Sequence, residues 1–390
     1  MRKVAIISFF HSESSLCLAK YIARQNVQVD YYYITDILRD KGFVSGFEYL
    51  KARKKWGIVR LRKKDAPEIF EYTKSLPVKY SLIRIISFSK KLLFFNRLIF
   101  YLVSKTIKKR KYDAINIVGQ HPWISFIHDG LRGENIIHTL HEVGNHENEH
   151  VTKSLLLDKI ISDKSKVILH SHSIYKRFLS IPGVDSSSCK DIPFGKFETL
   201  LLYEKNIDLN ISLDLSKPTF LFYGYIKPYK GLNLLKKACK RLSDILMNFN
   251  LIIAGGGEDE SLPYFREMKN CMIINRFLTN EEMIQLNKIA TVILLPYKSA
   301  SQSGIPCTSF LYGKPIIATR VGAFTEIIKD GINGILTQPD DDLDFSNAMR
   351  TIIENRELLQ KLESGVRLFG CNDEYDWNKL AKDTVAFYGI

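Results

Sequence analysis

The chain is expected to fold as an α/β protein built from two Rossmann-like, doubly wound parallel-sheet domains. Three observations predict this. Short apolar, β-branched runs alternate with runs of helical period along nearly the whole sequence. That alternation weakens in the polar, turn-prone stretch between Leu200 and Pro218, and a second alternation then begins. The length of 390 residues exceeds what one core holds, since single cores stop growing near roughly 250–300 residues, whereas it suits two domains.

In the first half, Lys3–Phe10 is apolar and of strand length, Ser15–Asn26 has helical period and Val27–Ile34 reads as a second strand. A basic insertion follows. The rhythm resumes with a strand at Asp113–Gly119, a helix from Pro122, strands at Asn135–Leu140 and Lys166–Ser171, and a helix ending at Leu179. The second half gives a strand at Thr219–Tyr225, a helix at Gly231–Leu242, strands at Asn250–Gly257 and Cys271–Phe277, a helix at Asn280–Ala290 and a strand at Thr291–Tyr297. The tail from Asp342 reads as helical, and Glu374–Tyr388 with Trp377 is expected to pack back on the first domain. The expected boundaries are 1–205, 206–370 and a returning C-terminal helix over 371–390.

The segment Ser299–Glu326 carries the most chemistry. Ser-Gln-Ser-Gly at 301–304 breaks the preceding strand with turn residues, Ser303 is placed to cap the next helix, and Pro306 suits its first turn. Free N–H groups and the positive dipole end at such a helix start favour a phosphate. Gly313-Lys314-Pro315 stops the helix, and Pro315–Thr319 begins the next buried strand. Open parallel sheets bind ligands at the carboxyl ends of their strands, where these loops lie.

Composition narrows the partners. The chain is 45% hydrophobic and 25% charged, which is ordinary for a globular protein, but its net charge of +14 implies a basic face that meets phosphate. The excess is concentrated in Lys51–Lys64 and in Arg84–Lys111, a stretch without one acidic residue. The latter mixes basic residues with Phe, Leu and Ile, which suits an amphipathic helix on an anionic leaflet, or alternatively a core-packed helix with a solvated basic end. No nucleic-acid motif accompanies the charge, so no nucleic acid is expected. The six cysteines are far apart and read as free thiols in a reducing, cytoplasmic setting. The start has no secretory signal pattern, and no apolar run is long enough to span a bilayer.

Over residues 216–340 the landmarks resemble glycosyltransferases of the GT-B fold, most closely glycosyltransferase family 4 and its bacterial surface-polysaccharide relatives. They are Gly224-Tyr225-Ile226-Lys227-Pro228-Tyr229-Lys230-Gly231, Ala254-Gly255-Gly256-Gly257-Glu258, Ser301-Gln302-Ser303-Gly304, Gly313-Lys314-Pro315 and Gly322 to Glu326, in the family's order and spacing. The first domain resembles the family in its rhythm, in the His141 region and in Pro193-Phe194-Gly195. The resemblance implies a GT-B fold with two Rossmann-like domains facing a cleft, the first binding acceptor and the second binding a nucleotide diphosphate sugar. It implies that Gly224, Lys227, Lys230, Gly255, Gln302, Ser303, Gly304, Thr308 and Glu326 hold the donor, with Lys227 standing in for the family's basic residue at position 225. The family's two glutamates, eight positions apart, fall on Ala300 and Thr308.

The same resemblance implies that His141 enters the cleft near the transferred sugar as the catalytic-site residue. His11 and His121, after the ends of other first-domain strands, are candidates for acceptor contact. No cofactor and no metal are implied: lysines and helix N-termini stabilise the leaving diphosphate, and the retaining members react on the front face. His138, His141, His146 and His150 also cluster, with His146 and His150 at helical spacing, but no third acidic or thiol ligand supports a metal there. The implied function is transfer of a sugar to a saccharide or lipid-linked acceptor, peripheral on the inner membrane face. A nucleotide-sugar epimerase on the same fold and an inactive scaffolding subunit remain open.

Overall fold

The computed structural model describes residues 1–9, 11–36, 56–86, 93–143, 155–243 and 248–390. The described residues form two compact units. One comprises the residues up to Leu202 together with Glu374–Ile390, and the other comprises Tyr203–Asp373. The chain therefore changes unit three residues before position 205 and returns three residues after 370.

The first unit holds an eight-stranded sheet in the order β3-β4-β2-β1-β5-β6-β7-β8. Its strands are β1 (Lys3–Ser8), β2 (Gln28–Asp36), β3 (Gly57–Arg60), β4 (Val78–Ile85), β5 (Ala114–Val118), β6 (Ile136–Leu140), β7 (Lys166–Leu169) and β8 (Cys189–Asp191). All neighbours are parallel except β3, which runs antiparallel to β4 at the edge. The basic insertion is thus partly sheet. Arg84 and Ile85 belong to β4, and the helix expected over Arg84–Lys111 is confined to α3 (Leu93–Lys108). The short helices α2 (Pro67–Tyr72) and α6 (His172–Leu179) lead into β4 and β8. The central strands are buried along their length, as parallel strands covered on both faces must be.

Helices α1 (Ser12–Ala23) and α14 (Trp377–Tyr388) pack against each other in this unit. The tail is tied down by named bonds. Trp377 Nε1 donates to the Lys196 carbonyl at 2.7 Å, Asn116 donates to the Tyr388 hydroxyl at 2.8 Å, and Lys166 reaches the Phe387 carbonyl at 3.0 Å. On the sheet's other side, α4 (Ile124–Leu131) and α5 (Leu155–Ser162) cover β6. There His138, assigned to a histidine cluster by sequence, bonds His128 at 2.9 Å, and His128 bonds Asp163 at 2.9 Å. His146 and His150 lie outside the described residues. Among those described, no group of three or more His, Cys, Asp or Glu is placed to hold a metal ion.

The second unit holds a six-stranded, all-parallel sheet in the order β11-β10-β9-β12-β13-β14. Its strands are β9 (Thr219–Tyr223), β10 (Asn250–Ala254), β11 (Cys271–Ile274), β12 (Val292–Leu295), β13 (Ile316–Thr319) and β14 (Gly334–Thr337). Helices α7 (Leu232–Arg241), α8 (Leu262–Glu267), α9 (Asn280–Ile289), α10 (Ile305–Leu311), α11 (Phe324–Ile327), α12 (Asp342–Glu354) and α13 (Arg356–Leu368) connect or flank these strands. In α9 the sequence supplies a capping box: Thr279 accepts from Glu282 N, and the Glu282 side chain accepts from Thr279 N. Both sheets reverse their winding at one place, beside β1 and β5 in the first and beside β9 and β12 in the second. Those are the positions where strand ends open into a crevice. All six cysteines are free.

Candidate functional site

At the carboxyl end of β9 the chain turns at Gly224 (φ 107°), where a Cβ would sit 2.8 Å from Lys230 Nζ. Gly255, at the end of β10, faces it more tightly: a Cβ there would lie 2.0 Å from the Gly224 carbonyl oxygen. The two loops continue the ladder, with Gly224 N donating to Ala254 O at 2.9 Å and Ile226 N to Gly256 O at 2.8 Å. Only residues without a side chain allow this close backbone pairing and leave room for the lysine head.

Lys227 and Lys230 do not open an α-helix directly. Lys227 precedes a single 3₁₀ turn, Pro228–Lys230, and Gly231 is the N-cap of α7, which has no side-chain cap. The helix start therefore keeps free N–H groups. Lys227 is exposed, whereas Lys230 is only 8% exposed. Burial pulls the Lys230 ammonium down to about 8, with the neighbouring charge of Lys227 adding to the effect. Its Nζ lies 5.2 Å from the ring centroid of Tyr297, which supplies a cation–π seat. Among the described residues neither lysine has a carboxylate at ion-pair distance. A buried cation without a counter-charge is costly, so an anion here is strongly favoured.

The loop after β12 meets the same place. Lys298 N donates to Tyr229 O at 2.7 Å, and a Cβ on Gly224 would approach Ile305 Cδ1 at 3.6 Å, which brings the start of α10 beside Gly224 and Lys230. The cap expected at Ser303 is displaced by one residue: Gly304 is the N-cap, and Ser303 Oγ accepts from Ile305 N at 3.3 Å. The reason is local, since Gly304 already has helical φ and ψ and so leaves Ser303 one turn position outside. Pro306 sits in the first turn as expected. Thr308 is buried one turn further in, its N–H bonded to Gly304 O. Gln302 Oε1 is buried with no partner. Ala300 is buried, and its carbonyl accepts from Ala323 N at 2.8 Å, which ties this loop to the one leading into α11 and Glu326. Gly224, Gly255, Lys230 and the start of α10 are thus brought together, while Glu326 is half-buried in α11, the short helix after the neighbouring loop.

In the first unit, four adjacent strands, β1, β5, β6 and β7, are each followed at their carboxyl ends by a histidine: His11, His121, His141 and His170. His11 is the N-cap residue of α1, and its ring stacks on His141 with centroids 3.4 Å apart and planes inclined by 13°. His141 is buried, and its Nε2 has no hydrogen-bond partner. His170 lies 5.0 Å from the His141 ring and 3.8 Å from Phe194. Its Nδ1 bonds the Ile192 carbonyl at 2.7 Å, so that nitrogen carries the proton and Nε2 of the neutral ring is bare. Burial pushes His11 down to about 4 and His170 to about 3, and it holds His141 well below the usual range.

The set is therefore neutral near pH 7 and offers hydrogen bonds without charge. His121 stands apart, stacked on Phe9 at 4.4 Å, with its Nδ1 accepting from Trp123 N. Sequence reasoning missed His170 and Tyr297. Both follow strands directly, in the same strand-end position that singled out His141, and that shared position was the available signal.

Residues 205–368 match the family model described as glycosyl transferases group 1. An uncharacterized glycosyltransferase of Methanocaldococcus jannaschii is 24% identical over 238 residues, covering 58% of this chain and 60% of that protein. A D-inositol 3-phosphate glycosyltransferase of Nocardia farcinica is 20% identical over 299 residues, covering 70% of this chain and 66% of its own. The chain thus spans less than two thirds of the length of these curated relatives. Among solved structures, sucrose-phosphate synthase from Thermosynechococcus elongatus matches with a TM-score of 0.66 at 15% identity, covering 100% of this chain and 98% of its own. Anabaena HepE in complex with UDP-glucose matches with a TM-score of 0.62 at 16% identity, covering 99% and 100% respectively. The chain has the GT-B fold of these glycosyltransferases, and its residues 205–368 carry the group 1 glycosyl transferase pattern.

Proposed function

We propose that the protein is a glycosyltransferase of the family 4 type that moves a sugar from a nucleotide diphosphate sugar to a saccharide or lipid-linked saccharide acceptor. The observation that carries this reading is the buried, carboxylate-free Lys230 at the glycine-lined end of β9, beside the uncapped start of α7. Lys230 and Lys227 take the diphosphate. Ser303, Gly304, Gln302 and Thr308 contact the nucleotide sugar, and Glu326 of α11 joins them in holding the donor. HepE, a protein of the same fold, is described with UDP-glucose, which supports a donor of this class.

In the reaction, the bond between the anomeric carbon and the diphosphate oxygen breaks, and a bond from the acceptor oxygen to that carbon forms. The acceptor oxygen attacks from the face that the phosphate leaves, so configuration is retained, and its proton passes to the departing phosphate oxygen, so no protein nucleophile or base is needed. Lys227, Lys230 and the helix start supply the positive charge without a metal, as preorganised electrostatics. His141 gives its unpartnered Nε2 to a sugar hydroxyl at the reacting centre, and His11, stacked on it, borders the acceptor. The setting is bacterial surface-polysaccharide assembly on the inner membrane face, where a lipid-linked acceptor is presented.

Lys230→Ala is expected to abolish donor turnover, and near-normal transfer by that variant would sink the assignment. Ala300 and Thr308, standing where the resemblance to family 4 places two glutamates, favour one second reading, an inactive subunit that binds without turnover. Incubation with a panel of nucleotide sugars, scored for hydrolysis, epimerisation and transfer, separates transferase, epimerase and scaffold.

A further inference from the structure

Helix α3 is split lengthwise. Asn96, Ile99, Phe100, Val103, Ser104 and Ile107 are buried, and Asn96 Oδ1 accepts from Ile86 N at 3.1 Å, which fixes the helix on β4. The opposite face is exposed and carries large apolar side chains: Phe94 is 77% exposed, Phe95 54%, Leu98 50%, Tyr101 57% and Leu102 40%. They recur at three- and four-residue intervals, so they form one continuous stripe. One turn further on, Lys105 continues the same face with a positive charge, Lys109 and Lys111 are exposed just past the end of the helix, and Arg97 is exposed beside the apolar part. None of these four has an ion-pair partner among the described residues; the Arg97 guanidinium lies 5.7 Å from the Phe126 ring. Two other cations of the segment are committed elsewhere, Lys108 to the Arg132 carbonyl and Arg110 to Asp30 and Tyr32.

An apolar patch of this size on a water-exposed helix marks a surface that is covered in use. We infer that the exposed face of α3 docks on an anionic lipid bilayer, with Phe94, Phe95, Leu98, Tyr101 and Leu102 in the acyl boundary and Lys105, Lys109 and Lys111 on the headgroup phosphates. The inference deepens the proposed function by naming the surface that brings the protein to a membrane-borne acceptor, and it rests on that reading only for its purpose.

Charge decides between the occupants. A second copy meeting this face would bring Lys105, Lys109 and Lys111 against a segment, positions 84 to 111, that holds no carboxylate to offset them. A nucleic acid would satisfy the lysines but leave the apolar half of the stripe against phosphate or water. A bilayer edge satisfies both halves at once, because its apolar and anionic layers are adjacent. Trp56, 56% exposed, immediately precedes β3, the edge strand against which α3 packs, and extends the surface with a side chain suited to the interface. The other two tryptophans, Trp123 and Trp377, are buried.

The test is flotation of the full chain with vesicles of phosphatidylcholine mixed with phosphatidylglycerol, against vesicles of phosphatidylcholine alone. The chain should float with the anionic vesicles and not with the neutral ones. The Lys105→Gln/Lys109→Gln/Lys111→Gln variant should lose about fivefold in binding per charge. The Phe94→Ser/Phe95→Ser/Leu98→Ser variant should lose at least about tenfold even at low salt. Its melting temperature should not fall, because these side chains are exposed. Trp56 emission should shift to the blue on binding.

Failure to float at low salt, or equal binding by the apolar variant, overturns the inference. So does a concentration-dependent dimer that the apolar variant dissolves. Transfer to a short soluble saccharide is measured on the same variants. Unchanged transfer with lost flotation supports a separate docking surface, whereas flotation without any donor turnover overturns the proposed reaction and leaves the docking standing.

Discussion

The two sheet ends share a topology and differ in charge. At the end of β9, Lys230 is a buried cation with no carboxylate beside it among the described residues, and at the ends of β1, β6 and β7 sit His11, His141 and His170, which burial keeps neutral. The same elementary device, a side chain placed just past a parallel strand, thus gives one site that demands an anion and another that offers uncharged hydrogen bonds. Desolvation acts on both, but it meets opposite remedies. Lys230, drawn down only to about 8, keeps its charge at pH 7 and needs a counter-charge, whereas the histidines give up their protons. In the proposed function, a nucleotide diphosphate and a sugar hydroxyl are the matching ligands.

The contrast can be broken most directly at Lys230. Lys230→Ala should lower kcat/KM for the donor by about 10²–10³-fold, the scale of removing one preorganised charge contact. Its melting temperature should hold or rise, since an unpaired buried ammonium is removed. A falling melting temperature with unchanged kcat/KM would show the lysine to be structural.

A smaller effect is expected at the histidine end. His141→Ala should cost about 1–3 kcal/mol of transition-state binding, the worth of a hydrogen bond to a buried group. That loss should be the same at pH 6.5 and pH 8, because the ring is already neutral; a loss confined to low pH would mean that the charged form acts.

The two ends should also respond to opposite sides of neutrality. Donor KM should rise as pH passes about 8, where free Lys230 loses its proton, and a Lys230→Arg variant should remove that rise. The smallest effect is on stability. His11 titrates near 4 and His138 near 3 in the folded chain, below the value near 6.5 of an unfolded histidine. Between those limits the unfolded chain binds more protons, so stability falls as pH drops from about 6.5 towards 4 and flattens below the folded values. Melting temperatures across that range check it, and a flat profile would contradict the buried, neutral state of these rings.

Much of the second unit was legible because its signals are local. Glycines at 224 and 255, the lysine six positions after Gly224, and Gly313-Lys314-Pro315 each mark a turn or strand end on their own stretch of chain. The error at Ser303 was also local: Ser and Gly are both good caps, and which of two adjacent residues takes the position depends on a φ and ψ that spacing does not fix. His170 was missed for a different reason, although its strand-end position was visible. Its meaning lies in its nearness to His141 and Phe194, and long-range pairing across neighbouring parallel strands leaves no periodic trace in one sequence. The basic insertion misled for a third reason, since β4 and α3 share its composition while facing different neighbours.

By itself, then, the sequence determined the two alternations of strand and helix, the loops that matter and the sign of their charge, because hydrophobic period, turn chemistry and lysine content are properties of short segments. Tertiary structure alone decided that Lys230 is buried while Lys227 is exposed, that His11 stacks on His141, and that one face of α3 stays bare. Burial and stacking depend on which distant segments share a sheet edge. That choice is made by the cooperative packing of the whole core, not by any stretch of residues within it.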